Sequence, residues 1–144
     1  FFYKAAKHLQ LRGPDNTSFF FDDKKNIFVG LIHTRLSIID LKKRSNQPFH
    51  HKDNIMIFNG EIYNYKELKK TLIYKGYKFN TSSDTEVLIK SFDFWGNEAF
   101  SKFEGMWAVV IYNKKKKKDS YFKRLFWGEA FILFQRSKWY IFCI

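Results

Sequence analysis

This 144-residue chain is poor in cysteine, in acidic residues and in long apolar runs, and each shortage excludes a class of protein. Its one cysteine, Cys143, rules out an intramolecular disulfide framework and fits a reducing compartment. No uninterrupted apolar run is long enough to cross a bilayer. Lys4 and Lys7 interrupt the N-terminal apolar residues, so no signal peptide is indicated. The length of the chain fits one domain, and its 45% hydrophobic residues are enough for a sizeable core.

The shortage of acids leaves a net charge of +12, from 26 basic and 14 acidic side chains. A strongly basic domain raises the possibility of nucleic-acid binding. Residues 114–144 nevertheless carry +7 of this charge, much of it in the lysine run 114–118, and the other 113 residues carry only +5. A mild excess spread over a domain is usually a solvated surface. We therefore expect no nucleic-acid partner, which would need a coherent basic face outside the tail.

The order of strand and helix patterns indicates an α+β protein. Apolar periodicity predicts a strand at each of 18–21, 27–32, 55–58 and 105–112, and it predicts that the chain stays extended over 35–40. Helices are predicted over 4–11, 65–74, 84–95 and 97–103, with Ser83 as N-cap and Glu86 at the capping-box position of the third. Strands and helices in mixed order are typical of layered α+β folds.

The apolar run 55–58 leads directly into Asn59-Gly60, a dipeptide that favours turns. A strand that ends in Asn-Gly presents two neighbouring donors, the Asn side-chain amide and the Gly backbone N–H. Two such donors can stabilise a developing oxyanion. A lone Asn-Gly is usually only a turn. Whether this one is instead an oxyanion-binding site depends on the rest of the sequence.

Several further motifs decide it, because they appear together and in order. The segment Asn59-Gly60-Glu61-Ile62-Tyr63-Asn64-Tyr65 resembles the signature of the glutaminase domain of glutamine-hydrolysing asparagine synthetases, a class II glutamine amidotransferase and N-terminal-nucleophile hydrolase. The similarity runs from about 8 to about 112. The companion motifs are Arg12-Gly13-Pro14-Asp15, His33-Thr34-Arg35-Leu36-Ser37-Ile38-Ile39-Asp40-Leu41, Asn46-Gln47-Pro48-Phe49, Ser83-Asp84-Thr85-Glu86-Val87 and Gly105-Met106-Trp107-Ala108.

The resemblance implies a four-layer αββα sandwich, incomplete at both ends, and a set of site residues. A guanidinium can pair bidentately with a carboxylate, and the family places Arg35 on the α-carboxylate of glutamine. By the same resemblance Ile38 and Ile39 offer backbone contacts and Asp84 holds the α-ammonium. Asn59 and Gly60 match the oxyanion hole, and Glu61 lies beside the substrate. His33 is interpreted as structural, because the family's base is not a histidine.

The family's nucleophile, an N-terminal cysteine whose own α-amine acts as base, has no counterpart at Phe1. We therefore expect the chain as given to be inactive alone. The resemblance also implies L-glutamine as substrate, a cytoplasmic location, and a C-terminal synthetase domain beyond this chain that uses ATP and Mg²⁺ to convert aspartate to asparagine. It implies no cofactor or metal in this chain and no membrane partner, and its members are often homodimers.

The chain divides into residues 1–113, the partial amidotransferase domain, and residues 114–144, a lysine run with a divergent tail. Back-translated with AT-rich codons and read one base later, the sequence from Lys123 becomes Arg-Asp-Phe-Phe-Gly-Glu-Lys-Pro-Leu-Phe-Tyr-Phe, which is similar to the family's next segment. Our hypothesis is a frameshift in the codons for 114–118; the alternative is plain divergence. For the function, the alternatives are an amidotransferase acting on another acceptor and a non-catalytic glutamine-binding or interaction module.

Overall fold

The structure, a computed structural model, describes residues 6–7, 9–11, 13–24, 27–115, 121–125, 132–136 and 139–143. Residues 6, 7 and 9 are helical, and two short 3-10 helices are Lys43–Ser45 and Gly96–Lys102. The α-helices are α1 (Tyr65–Tyr74) and α2 (Asp84–Trp95). The strands β1 to β8 are, in order, Asn16–Lys24, Ile27–Arg35, Phe49–His51, Asn54–Ile62, Gly105–Asn113, Tyr121–Leu125, Ile132–Arg136 and Trp139–Cys143.

The described strands form two four-stranded sheets. The first has the order β1-β2-β8-β7 and the second the order β3-β4-β5-β6. Strands β4 and β5 pair antiparallel over their whole length, from Asn54 opposite Asn113 to Ile62 opposite Gly105. The pairing of β2 with β8 is parallel, whereas each other described pair is antiparallel.

Alternation along β4 and β5 builds the layers, because successive strand residues point to opposite faces of a sheet. One face of this second sheet packs on the helices through Met56, Phe58, Val109, Leu72 and Leu88, among others. Its other face meets the first sheet through a cluster of Ile55, Ile57, Val110, Tyr112, Val29 and Leu31. On the far side of the first sheet, Ile32 packs against Ala6 and Leu9 of the N-terminal helical residues. The order helix, sheet, sheet, helix confirms the predicted α+β sandwich.

Several sequence predictions for individual elements are confirmed. Helix α1 has the predicted bounds, and α2 begins after Ser83, whose hydroxyl accepts a hydrogen bond from the Thr85 amide at 3.1 Å. Gly96 ends α2 with a positive φ of 58°. The segment predicted as a fourth helix is the 3-10 helix Gly96–Lys102. Among the described residues, no helix is both long and apolar enough to cross a membrane.

The predicted end of the strand at Asn59-Gly60 is wrong. Strand β4 continues through both residues to Ile62, with Asn59 opposite Ala108 and Gly60 opposite Trp107. Gly60 has a φ of 118°, which glycine adopts freely and other residues rarely do. Gly60 therefore has the positive φ that the local sequence indicates, but pairing with β5 keeps it within a strand instead of a turn.

The extended segment predicted over 35–40 is also wrong, because β2 ends at Arg35. Asp40 has a φ of 50°, in the left-handed region, and the chain turns there. The segment from 36 to 48, which we name the cleft loop, then returns to the second sheet through the 3-10 helix Lys43–Ser45.

Residues 114–144 contribute strands to both sheets. Strand β6 pairs with β5, and the β7–β8 hairpin joins the first sheet beside β2. Cys143 lies on β8 opposite Ile32. Residues 116–120 lie outside the described residues, so the proposed frameshift position and the boundary at 113 stay predictions.

Candidate functional site

One cleft of about 360 Å³ opens where the end of β2, the cleft loop, the middle of β4 and the start of α2 meet. This volume lies in the range of small-molecule sites. All seven residues predicted to bind substrate are in its lining. The lining consists of Leu9, His33, Thr34, Arg35, Leu36, Ile38, Ile39, Gln47, Phe58, Asn59, Gly60, Glu61, Ser83, Asp84, Thr85 and Met106.

Arg35 lies at the end of β2 and is only 7% exposed. Its guanidinium donates to the cleft loop: Nη1 to the carbonyl of Lys42 and to Oδ1 of Asn46, and Nη2 to the carbonyls of Ile39 and Asp40, at 2.6 to 3.2 Å. The four N–H groups of the terminal nitrogens thus organise the loop. Arg35 is also part of the cleft lining, and its pairing with a substrate carboxylate stays a prediction.

The turn between Gly13 and Asp15 supports the same end of β2. The Asp15 amide donates to the Arg35 carbonyl at 3.0 Å, and the Asp15 carboxylate accepts from the Ser37 amide at 2.7 Å. Ile38 is 66% exposed at the cleft. Within the described part of the chain, no acceptor pairs with the backbone N–H of Ile38 or Ile39. These amides are therefore suitable donors for a bound carboxylate.

The Asn59-Gly60 segment is positioned through the residue before it. Gln47 of the cleft loop holds the Phe58 backbone from both sides: its Nε2 donates to the Phe58 carbonyl at 3.0 Å, and its Oε1 accepts from the Phe58 amide at 2.5 Å. Gln47 and Phe58 are both buried. Because a buried amide pair of this kind is costly to leave unsatisfied, Gln47 fixes β4 next to the predicted oxyanion donors.

His33 belongs to the same arrangement, and its interpretation as a structural residue stays a prediction. Its Nε2 donates to the Phe58 carbonyl at 3.3 Å, since a carbonyl can only accept. Burial lowers the pKa of His33 to about 4, and the nearby Arg35 charge acts in the same direction. The ring is therefore uncharged at neutral pH.

Asp84, the first residue of α2, provides the negative side of the cleft. It is 5% exposed, and its carboxylate accepts from the Ile62 amide at 3.2 Å and from the Thr85 amide at 2.8 Å. Burial raises the pKa of Asp84, against these hydrogen bonds, and the neighbouring Glu61 carboxylate raises it further. Glu61 itself is exposed on β4. A ligand cation between the two would relieve their repulsion.

The segment before Asp84 is pinned by Glu86, which does not form the predicted capping box. Its carboxylate accepts from the amides of Asn80 and Thr81, from the Thr81 hydroxyl and from Lys90, at 2.6 to 3.1 Å. The Ser83 amide instead donates to the Thr81 hydroxyl. A buried lysine one turn along α2 competes better for the carboxylate than the cap does, because two buried charges need each other.

The arrangement suits a small zwitterion: a guanidinium and two backbone amides at one side, two carboxylates at another, and the Asn59-Gly60 segment between them. Among the described residues, no group of three or more His, Cys, Asp or Glu side chains could hold a metal ion. The described lining also contains no cysteine. The described side chains and backbone amides of the cleft are suited to recognition and polarisation of such a ligand.

Sequence reasoning named Asn46 and Gln47 only as part of a motif and gave them no role. In the sequence they are only two polar residues before Pro48, and their partners, Arg35 and Phe58, are 11 residues away in each case. Only the folded loop brings them together. The same holds for Met106, which reaches the cleft from β5.

Comparison with known proteins gives concordant matches. The profile of a family described as a glutamine amidotransferase domain matches residues 2–137. Glutamine-hydrolyzing asparagine synthetase 1 of Bacillus subtilis (strain 168) is 49% identical over 105 residues, 72% of this chain and 16% of the relative. A putative glutamine-hydrolyzing asparagine synthetase 2 of Methanocaldococcus jannaschii is 39% identical over 133 residues, 78% of this chain and 24% of the relative.

A solved structure, the glutamine phosphoribosylpyrophosphate amidotransferase from B. subtilis complexed with ADP and GMP, superposes with a TM-score of 0.50. It is 27% identical and covers 58% of this chain and 20% of its own. The chain thus spans less than a quarter of the length of each of these three proteins.

Proposed function

This chain belongs to the glutamine amidotransferase domain family, and on that premise we propose that its cleft binds L-glutamine by both α-substituents and polarises the side-chain amide. The observation that carries the proposal is the convergence of Arg35, Asn59-Gly60 and Asp84, far apart in sequence, on one cleft with opposite charges. In a larger protein, the ammonia released would pass to a synthetase domain that uses ATP and Mg²⁺ to convert aspartate to asparagine in the cytoplasm.

The residues divide the work as follows. Arg35 attracts the α-carboxylate, and the amides of Ile38 and Ile39 donate to it. Asp84, assisted by Glu61, holds the α-ammonium. Asn59 and Gly60 donate to the side-chain carbonyl oxygen as it gains negative charge, which lowers the barrier to attack on the carbon. In the family the attacking group is the thiol of an N-terminal cysteine, whose proton passes to its own α-amine. The C–S bond forms as the C–N bond breaks, and the leaving nitrogen takes that proton and departs as ammonia. Water then hydrolyses the thioester to glutamate and returns a proton to the thiol.

Binding is tested with ligands that lack one substituent each. Arg35→Ala is expected to weaken glutamine binding by about 1.5–3 kcal/mol, because it removes both the charge that attracts the α-carboxylate and the hydrogen bonds that order the cleft loop. Asp84→Asn is expected to weaken it by a similar amount, but to leave the analogue without the α-amine almost unaffected. Calorimetry measures both, with exposed Arg44→Ala as the matched control. Equal losses for glutamine and the analogue in Asp84→Asn would remove Asp84 from ammonium binding.

The pH dependence of binding follows from the same carboxylate. Ammonium binding needs Asp84 ionised, and its pKa is raised, so affinity should fall with decreasing pH before an ordinary aspartate would protonate. Asp84→Asn should lose this acid limb.

Turnover separates the proposed function from a binding module. Because the described cleft lining holds no cysteine, the chain as given is expected to release no ammonia from glutamine above background, while still binding it. A coupled glutamate assay measures this. Turnover that disappears in Cys143→Ser would overturn the expectation, since Cys143 would then act as nucleophile from β8. The second candidate function is that the larger protein transfers the ammonia to an acceptor other than aspartate. The proposed binding of glutamine in this cleft would then be the same.

A further inference from the structure

The structure assigns a positioning role to Asp40: we propose that its buried carboxylate sets the spacing between the Arg35 side of the cleft and the Asp84 side. The inference rests on the proposed function, because it concerns how one ligand reaches both sides at once. Asp40 is not in the cleft lining itself, so it would act only through the residues it holds.

The link to the Asp84 side runs through Ser82, two residues before Asp84. The Asp40 carboxylate accepts from the Ser82 amide at 2.9 Å and from the Ser82 hydroxyl at 3.2 Å. Ser82 follows Thr81, which Glu86 pins to α2. The position of Ser82 is therefore fixed from both directions, and Asp40 is its contact with the cleft loop.

The link to the Arg35 side runs through the Asp40 backbone. The Arg35 guanidinium donates to the Asp40 carbonyl at 2.6 Å. Asp40 adopts a φ of 50°, a conformation that aspartate and asparagine tolerate better than most residues. One residue thus contacts the predicted carboxylate anchor with its carbonyl and the segment of the predicted ammonium anchor with its side chain.

The Asp40 carboxylate is suited to a permanent link. Its side chain is 2% exposed, and Arg44 forms an ion pair with it at 2.9 Å from an exposed position. The Ser82 amide is the main cause that holds the pKa of Asp40 well below its usual range, and Arg44 and the Lys42 amide act in the same direction. The carboxylate therefore stays ionised over the whole range in which an enzyme works.

A ligand held at both ends is sensitive to the distance between its two binding groups, whereas a ligand held at one end is not. Weakening Asp40 should therefore reduce affinity for glutamine but not for its two halves. The halves are the analogue without the α-amine, which needs the Arg35 side, and 4-aminobutanamide, which lacks the α-carboxylate and needs the Asp84 side.

Two variants test this while keeping the left-handed backbone. Asp40→Asn retains one acceptor oxygen and the shape of the side chain; Asp40→Gly removes the carboxylate and accepts a positive φ without strain. We expect glutamine affinity to fall about 3–10-fold in Asp40→Asn and more than about 10-fold in Asp40→Gly. Affinity for either half-ligand should change less than about 2-fold. Arg44→Gln, which leaves the Ser82 contacts intact, should behave as wild type for all three ligands.

Ligand titrations followed by NMR shifts measure these weak affinities, and thermal unfolding of each variant checks that it is folded. Unchanged glutamine affinity in Asp40→Gly overturns the inference alone, and so does an equal loss for glutamine and both half-ligands. Absence of glutamine binding by the wild-type chain instead overturns the proposed function, and this inference with it. A loss of affinity for glutamine without a loss for either half-ligand supports the role of Asp40.

Discussion

Gly60→Ala is expected to lower the free energy of unfolding by roughly 4 kcal/mol or more, at the severe end of single substitutions. A Cβ at this position would lie 2.0 Å from the Met106 carbonyl oxygen and 2.7 Å from the Trp107 Cα. Both are backbone atoms of the paired strand β5, so neither can rotate away. The φ of 118° adds strain for any side chain. Chemical denaturation with a fluorescence readout measures the loss.

Gly76→Ala is the matched control. Gly76 also has a positive φ, 90°, but an added Cβ there would meet nothing within 4 Å. That variant should lose only the cost of a left-handed residue, about 1–2 kcal/mol. Similar losses in the two variants would show that the close approach of β4 to β5 is not what requires glycine at 60.

Glu86→Ala is the second large effect, with an expected loss of about 3–5 kcal/mol, because it leaves the buried Lys90 without its partner. The Glu86 and Lys90 side chains are 2% and 8% exposed and 2.6 Å apart. Lys90 keeps a hydrogen bond to the Lys78 carbonyl and its place over the Phe79 ring. The Thr81 amide and hydroxyl lose their acceptor. The segment that leads to Asp84 should loosen, so glutamine affinity should fall as well.

Two comparisons separate the buried pair from general damage. Glu98→Gln, at an exposed acid of the 3-10 helix, should change stability by less than about 0.5 kcal/mol. The double variant Glu86→Leu with Lys90→Met should recover part of the loss, because no charge is then left buried without its partner. A double variant as unstable as the sum of the two single variants would contradict this interpretation.

The stabilisation by Glu86 should also depend on pH, and the shift of its pKa gives the direction of that dependence. Burial acts to raise the pKa of Glu86, but hydrogen bonds from Lys90, Thr81 and Asn80 outweigh it and lower the pKa. A carboxylate whose pKa is lowered by folding stabilises the protein above its unfolded pKa and loses this contribution as pH falls through the folded pKa. The difference between wild type and Glu86→Gln should therefore be full near neutral pH and shrink in acid.

The sequence by itself determined the family, the fold class and the main helices. Apolar spacing and the Ser83 cap are local signals, and they placed α1 and α2 with the observed bounds. The motifs named Arg35, Asn59-Gly60 and Asp84 as site residues, and the fold brings them into one cleft. A motif carries this information because it specifies residue types at fixed positions. These can be read from the sequence without knowing which residues they contact in the fold.

Only the tertiary structure decided how those residues are held. Local sequence assigns Asn59-Gly60 to a turn, but pairing with β5 makes it the middle of a strand. The Arg35 side chain appeared in the sequence as a ligand group alone, whereas in the fold its terminal N–H groups also order the cleft loop. Contacts such as Asp40 with Ser82, 42 residues apart, leave no local pattern. Such contacts stabilise the protein only once both segments are packed. Before that, each polar group is hydrogen-bonded to water, and exchanging water for a protein partner changes the free energy little.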